Sequence, residues 1–135
     1  MKLDDWRFDN SGVSLTETDL LDILDVDDLR DADLRGLNLS YAQLYYVELG
    51  DADLSGASLY GANLGGADLR VADLGNANIS RASLFGTDLS YANLRYADLS
   101  GADLRTANLR YADLTGANLT GADLTSAELF GAIMD

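Results

Sequence analysis

Residues 32–56 read ADLRG LNLSY AQLYY VELGD ADLSG, and this five-residue phase continues without insertion to Asp135. Let i be the central apolar residue of each repeat. Position i runs Leu34, Leu39, Leu44 and onward in steps of five to Met134, with only Ile79 and Met134 in place of leucine. Position i−2 is alanine except at Leu37, Val47 and Thr87, and position i−1 is nearly always Asp, Asn, Ser, Glu or Gln.

A period of five suits neither ordinary element. An α-helix turns about 100° per residue, so successive leucines would stand about 140° apart and spread around its whole surface. In a straight strand side chains alternate, and an odd period sends each leucine to the opposite side. Within one repeat, however, i−2 and i point the same way. A backbone that bends once per repeat turns every Ala–Leu pair toward one interior, and stacked coils then bury a continuous column. Glycine at many i+2 positions, Gly36, Gly56 and Gly61 among them, supplies the freedom such corners need.

These residues resemble the pentapeptide repeat family, whose consensus is Ala-(Asp/Asn)-Leu-X-X, and the resemblance covers Ala32 to Asp135. It implies an all-β fold: a right-handed quadrilateral β-helix, or β-solenoid, with four repeats per coil. Positions i and i−2 would lie inside and the other three would face solvent. About five coils at ~4.8 Å spacing would make a rod roughly 25 Å long. The expected organisation is an N-terminal capping segment over residues 1–31 and the β-helix over 32–135.

The ends differ. Upstream of Ala32 the pattern weakens, and two readings of that segment stand: an extra irregular coil, or a short capping helix near residues 15–25. The helix is preferred, because Ser14 with Glu17 three residues on has capping-box spacing. Trp6 and Phe8 are expected to cover the first coil. The other end closes on Gly131-Ala132-Ile133-Met134-Asp135, with no polar capping segment. Apolar Phe130, Ile133 and Met134 at an open solenoid end favour pairing with a second copy, so a C-terminal homodimer is expected.

Composition removes several functions. With no cysteine, thiolate chemistry and disulfides are excluded, and with no histidine the usual zinc sites and the commonest general base are missing. No cofactor and no metal is expected. The net charge is −14, from 23 acidic and 9 basic residues, which opposes direct nucleic-acid binding and anionic lipid. Residues 1–33 carry much of it. No apolar run approaches the roughly 20 residues of a membrane span, and Met1 to Trp6 shows no secretory pattern. A soluble, cytoplasmic chain is the expectation.

With four repeats per coil, residues 20 apart stack, so surface columns follow from the sequence. The acidic column Asp33, Asp53, Asp73, Asn93 and Asp113 is read as satisfying corner backbone groups. Arg70, Ser90, Arg110 and Phe130 form an i+1 column beside Val71, Tyr91, Tyr111 and Gly131, with Arg95 and Tyr96 around the next corner. Tyrosine and arginine most often anchor protein interfaces. Arg70, Tyr91, Arg95, Tyr96, Arg110 and Tyr111 are therefore the candidate interaction surface. A second aromatic cluster comprises Tyr41, Tyr45, Tyr46 and Tyr60.

The expected function is a non-catalytic protein-interaction module that presents a rigid surface to a protein partner. General acid–base catalysis needs carboxylates in differing environments and a pocket, which a convex repeating surface does not offer. The family supplies an alternative: some members resemble duplex DNA in width and charge and bind DNA gyrase. The charge here has the right sign, but the repeats lack the loop insertions that some of those members carry.

Overall fold

The structure is a computed structural model, and it describes residues 14–25 and 27–135; Trp6 and Phe8 lie outside the described residues. From Asp33 to Asp113, each repeat forms one short β-bridge, through its i−1 residue, to the repeat twenty residues on. All of these bridges are parallel. Twenty residues make one coil, so the solenoid has four faces. Face 1 runs through Asp33, Asp53, Asp73, Asn93, Asp113 and Ile133, and face 2 through Asn38, Ser58, Asn78, Asp98 and Asn118. Face 3 runs through Gln43, Asn63, Ser83, Asp103 and Asp123, and face 4 through Glu48, Asp68, Asp88, Asn108 and Glu128.

The backbone hydrogen bonds explain why five residues suffice. In each repeat the i N–H donates to the next coil and the i−1 N–H to the preceding one: Leu54 to Asp73 O at 2.7 Å and Asp53 to Ala32 O at 2.9 Å. The chain then turns a corner closed by a four-residue turn, as in Leu34 O accepting Leu37 N–H at 3.3 Å. The second central residue of that turn has φ 65° at Gly36, as a type II turn requires.

That requirement is met far more widely than glycine content suggests. Among the described residues, nine glycines occupy i+2 with positive φ, but twelve other residues do too, including Val71 at φ 63°. A β-branched residue is normally excluded from this region, at a cost of roughly 1–2 kcal/mol. Ladder bonds on both sides hold the corner there: Val71 N–H to Ser90 O at 3.0 Å and Asp51 N–H to Arg70 O at 2.9 Å. The corner is imposed by the stack as much as by its own residue.

The interior is a column of Leu and Ala. Leu34 to Leu114, with Ile79 among them, are buried at every i position, and burial of each contributes about 1.5–3 kcal/mol. Leu37 and Val47 fill the first coil where alanine would stand, and both are buried. Thr87 is fully buried as well; its hydroxyl donates to Leu64 O at 2.7 Å, so the one polar interior side chain is satisfied. From Ala117 onward the interior positions are only partly covered.

Among the described residues, the helix α1, Glu17–Leu24, precedes the first coil. Its N-cap is Thr16, not Ser14. The Thr16 hydroxyl accepts Asp19 N–H at 3.3 Å, and the Asp19 carboxylate accepts Thr16 N–H at 2.7 Å. Ser14 instead donates to Tyr41 O at 2.8 Å. The shift has a cause: Thr16 forms a parallel bridge with Gln43, whose N–H donates to Leu15 O at 2.6 Å. Leu15 and Thr16 thus supply the first rung of face 3, and the helix begins only after that rung. Leu15 and Leu20 are buried in the core.

Candidate functional site

The outward i−1 residues have a common structural task. Their side-chain oxygen accepts the N–H two residues on, as Asp53 does from Ser55 at 3.0 Å, Asn93 from Arg95 at 3.1 Å and Asp113 from Thr115 at 3.0 Å. At Ser55, Ser80, Ser90, Thr115 and Thr125 the i+1 hydroxyl adds a bond to the same oxygen, 2.6 Å between Thr115 and Asp113. Where i+1 is Arg and i−1 is Asp, the guanidinium folds back on the carboxylate, as Arg70 does on Asp68 and Arg105 on Asp103. Asp73 and Asn93 are further joined by a 2.9 Å bond across coils. The acidic column is corner structure.

The electrostatics agree. Asp113 is lowered to about 2 by the Thr115 hydroxyl, the Thr115 backbone N–H and Arg95. Asp68 and Asp103 are lowered chiefly by Arg70 and Arg105, and Asp98 and Asp123 chiefly by the hydroxyls of Ser100 and Thr125. Every resolved carboxylate shift is downward. A general acid at neutral pH needs the opposite.

The aromatic residues divide by what lies one coil below them. Each tyrosine at i+2 leans toward the following coil. Tyr41, Tyr46, Tyr96 and Tyr111 lie on Gly61, Gly66, Gly116 and Gly131, so closely that a Cβ on any of those glycines would fall within 3 Å of the ring. These rings cover bare corner backbone. Tyr91 is different: the next coil presents Tyr111, and the two rings stack at 5.0 Å with 15° between planes. Tyr111 in turn meets Phe130 edge-on at 5.6 Å, and the Arg110 guanidinium lies 5.2 Å over Phe130. Val71 continues the stripe on the other side, and all four apolar residues are exposed.

The structure therefore brings Tyr91, Arg110 and Tyr111 together on the corner between faces 4 and 1, with Arg70 in the same i+1 column. Phe130, in that column by register and also at the chain end with Ile133 and Met134, meets Tyr111 and Arg110 directly; Phe130, Ile133 and Met134 are all exposed. Arg95 and Tyr96 form a separate pair on the next corner, 5.6 Å apart, with Arg95 held by Asp113 at 3.0 Å. The second cluster also splits: Tyr41 meets Tyr60 at 5.5 Å, and Tyr45 meets Tyr46 at 6.1 Å one corner on. Sequence reasoning passed over Phe85 and Arg105, which share a surface depression with Tyr45 and Tyr46. The signal was present in the column Tyr45, Gly65, Phe85, Arg105.

The repeat geometry finds its counterpart among known proteins. The family model "Pentapeptide repeats" matches in overlapping segments over residues 52–90, 72–105, 87–125 and 97–135. The chain belongs to the pentapeptide repeat family. A pentapeptide repeat protein (Rfr23) from the cyanobacterium Cyanothece 51142 has a similar structure, with 32% identity and a TM-score of 0.66, over 80% of this chain and 84% of that one. A pentapeptide repeat protein of the Arabidopsis thaliana thylakoid lumen is 35% identical, with a TM-score of 0.61, over 74% of this chain and 66% of its own. One from Nostoc PCC 7120 is 40% identical, with a TM-score of 0.57, over 65% and 84%. No curated protein matches. These pentapeptide repeat structures imply the right-handed quadrilateral β-helix for this chain. No helix among the described residues is long and apolar enough to cross a membrane.

Proposed function

We propose that this pentapeptide repeat protein is a non-catalytic, cytoplasmic interaction module that binds a protein partner through the Arg70–Tyr91–Arg110–Tyr111 corner. The observation that carries the reading is the Tyr91–Tyr111 stack. The other i+2 tyrosines with glycine beneath them are explained by the backbone they cover. Tyr91 has no such task, remains 60% exposed, and stacks on its neighbour. A pre-ordered aromatic loses little entropy on binding, which is what an anchor residue needs. Arg95 and Tyr96 are a secondary part of the surface, since Tyr96 already covers Gly116.

The test is an affinity capture from lysate with two baits, the native protein and a Tyr91→Ala, Arg110→Ala, Tyr111→Ala triple variant. All three side chains are exposed, so the variant keeps its interior. A partner held by the native bait and lost by the variant supports the corner; identical captures refute it. In this proposal α1 caps the N-terminal opening, the capping segment is residues 1–31 and the binding rod is 32–135. Two copies pair through Phe130, Ile133 and Met134, which light scattering at micromolar protein would refute by a monomeric mass. The acidic DNA-mimic alternative draws on the charge of −14 alone, and unaltered gyrase supercoiling at micromolar protein removes it.

A further inference from the structure

The corner between faces 3 and 4 holds Tyr45, Gly65, Phe85 and Arg105 at i+1 in successive coils. One rung of this column has no side chain. Tyr45, Tyr46, Gly65, Gly66, Phe85 and Arg105 line a single depression around that missing rung. Tyr45 and Phe85 are two coils apart, about 9.6 Å at ~4.8 Å per coil. Rings one coil apart stack in this protein at 5.0 Å, as Tyr91 and Tyr111 do. Two coils of spacing leave room between these positions for one flat group, and not two.

The neighbouring rung indicates which flat group. Arg105 lies 5.3 Å over the Phe85 ring and forms two 2.8 Å bonds to Asp103. Ring faces carry negative potential, so a cation over them is attracted, and a planar guanidinium stacks where an ammonium cannot. The net charge of −14 favours an incoming cation and opposes an anion. At the vacant rung the i−1 residue is Asn63, whose Oδ1 accepts Gly65 N–H at 3.1 Å, and Gly65 offers no side chain of its own. We infer that this slot receives an arginine side chain of a protein partner, its guanidinium inserted between Tyr45 and Phe85. The inference rests on the interaction-module reading and adds a contact on a different corner.

The probe is N-acetyl-arginine amide, with N-acetyl-citrulline amide as its uncharged isostere, titrated to tens of millimolar and followed by amide NMR. The expected result is shifts centred on Gly65, Gly66 and Gly86, with the arginine derivative bound at least threefold more tightly than the citrulline one. Gly65→Tyr places a ring in the vacant rung and abolishes binding, whereas Gly65→Ser retains it. Gly65 lacks the positive φ of the corner residue beside it, so both variants are free of backbone strain. Should Gly65→Tyr fail to fold, Phe85→Ala removes one wall and must weaken binding at least threefold. Equal affinity for the citrulline derivative, absent or scattered shifts, or binding that survives Gly65→Tyr would each overturn the slot. Gly65→Tyr leaves Tyr91 and Tyr111 intact. A captured partner lost by the triple variant but no arginine binding therefore sinks the slot alone, and arginine binding with unchanged captures sinks the corner alone.

Discussion

Gly65 and Gly66 are adjacent glycines for which alanine should have opposite effects on stability. At Gly66 the backbone φ is +66°, and a Cβ would lie 2.5 Å from Tyr46 Cε1. Alanine there takes on the left-handed cost of about 1–2 kcal/mol. It also lifts a tyrosine ring that is 78% exposed and free to swing away, so the lost contact adds well under 1 kcal/mol. The reduced entropy of the unfolded chain returns about 0.4–1 kcal/mol. The sum is a destabilisation of up to about 2 kcal/mol.

At Gly65 no positive φ is required, and a Cβ meets only Asn63 Oδ1 at 3.3 Å and Phe85 O at 3.7 Å. The same asparagine-to-backbone bond coexists with Ser at position 80 and Arg at position 95, so the oxygen can accommodate a Cβ. Only the unfolded-state term remains, and Gly65→Ala should stabilise by about 0.4–1 kcal/mol. For a chain of this size each kcal/mol moves Tm by about 3–4 °C. The two variants, compared by thermal unfolding, should differ by at least about 4 °C in the stated order. A Tyr46→Ala, Gly66→Ala double variant should recover the ring's share and leave the φ cost. Equal melting points, or Gly66→Ala as the more stable, would refute the account of the corner.

Two further outcomes follow from the same structure. Leu74 is fully buried, and Leu74→Ala should cost about 2–5 kcal/mol in denaturant unfolding; a loss under about 1 kcal/mol would mean that the column can collapse around the hole. The lowered carboxylates Asp68, Asp98, Asp103, Asp113 and Asp123 stabilise the folded state when ionised. That contribution is complete above their ordinary value of 3.8 and is lost as pH falls through the folded values, which for Asp113 is about 2. Tm should therefore hold down to about pH 4 and fall between there and pH 2, and a loss already complete at pH 5 would contradict it.

Much of the fold was legible because the signal is local and repeated. The run from Leu34 to Leu129 set the phase and which side chains face inward, and the family resemblance, with its four repeats per coil, made residues twenty apart neighbours. The column of Tyr91 and Tyr111 and the role of the i−1 oxygens followed from that register. Two features did not. Thr16 caps α1 because its bridge to Gln43, a contact across 27 residues, sets where the helix starts; the Ser14–Glu17 spacing carries no trace of it. Val71 and its fellows adopt positive φ because the ladder bonds of neighbouring coils outweigh a local steric cost, so residue type at i+2 does not mark the corner.

The sequence by itself determined a coil that bends once per repeat and the residues that face its interior; the four faces, and with them the surface columns, came from the resemblance to the pentapeptide repeat family. Only the tertiary structure decided what each aromatic does, because a ring's direction depends on the residue beneath it in the next coil. Tyr46 and Tyr96 lie down on glycine, Tyr91 stands on another tyrosine, Phe130 joins that stripe from the chain's end, and between Tyr45 and Phe85 a glycine leaves the space empty.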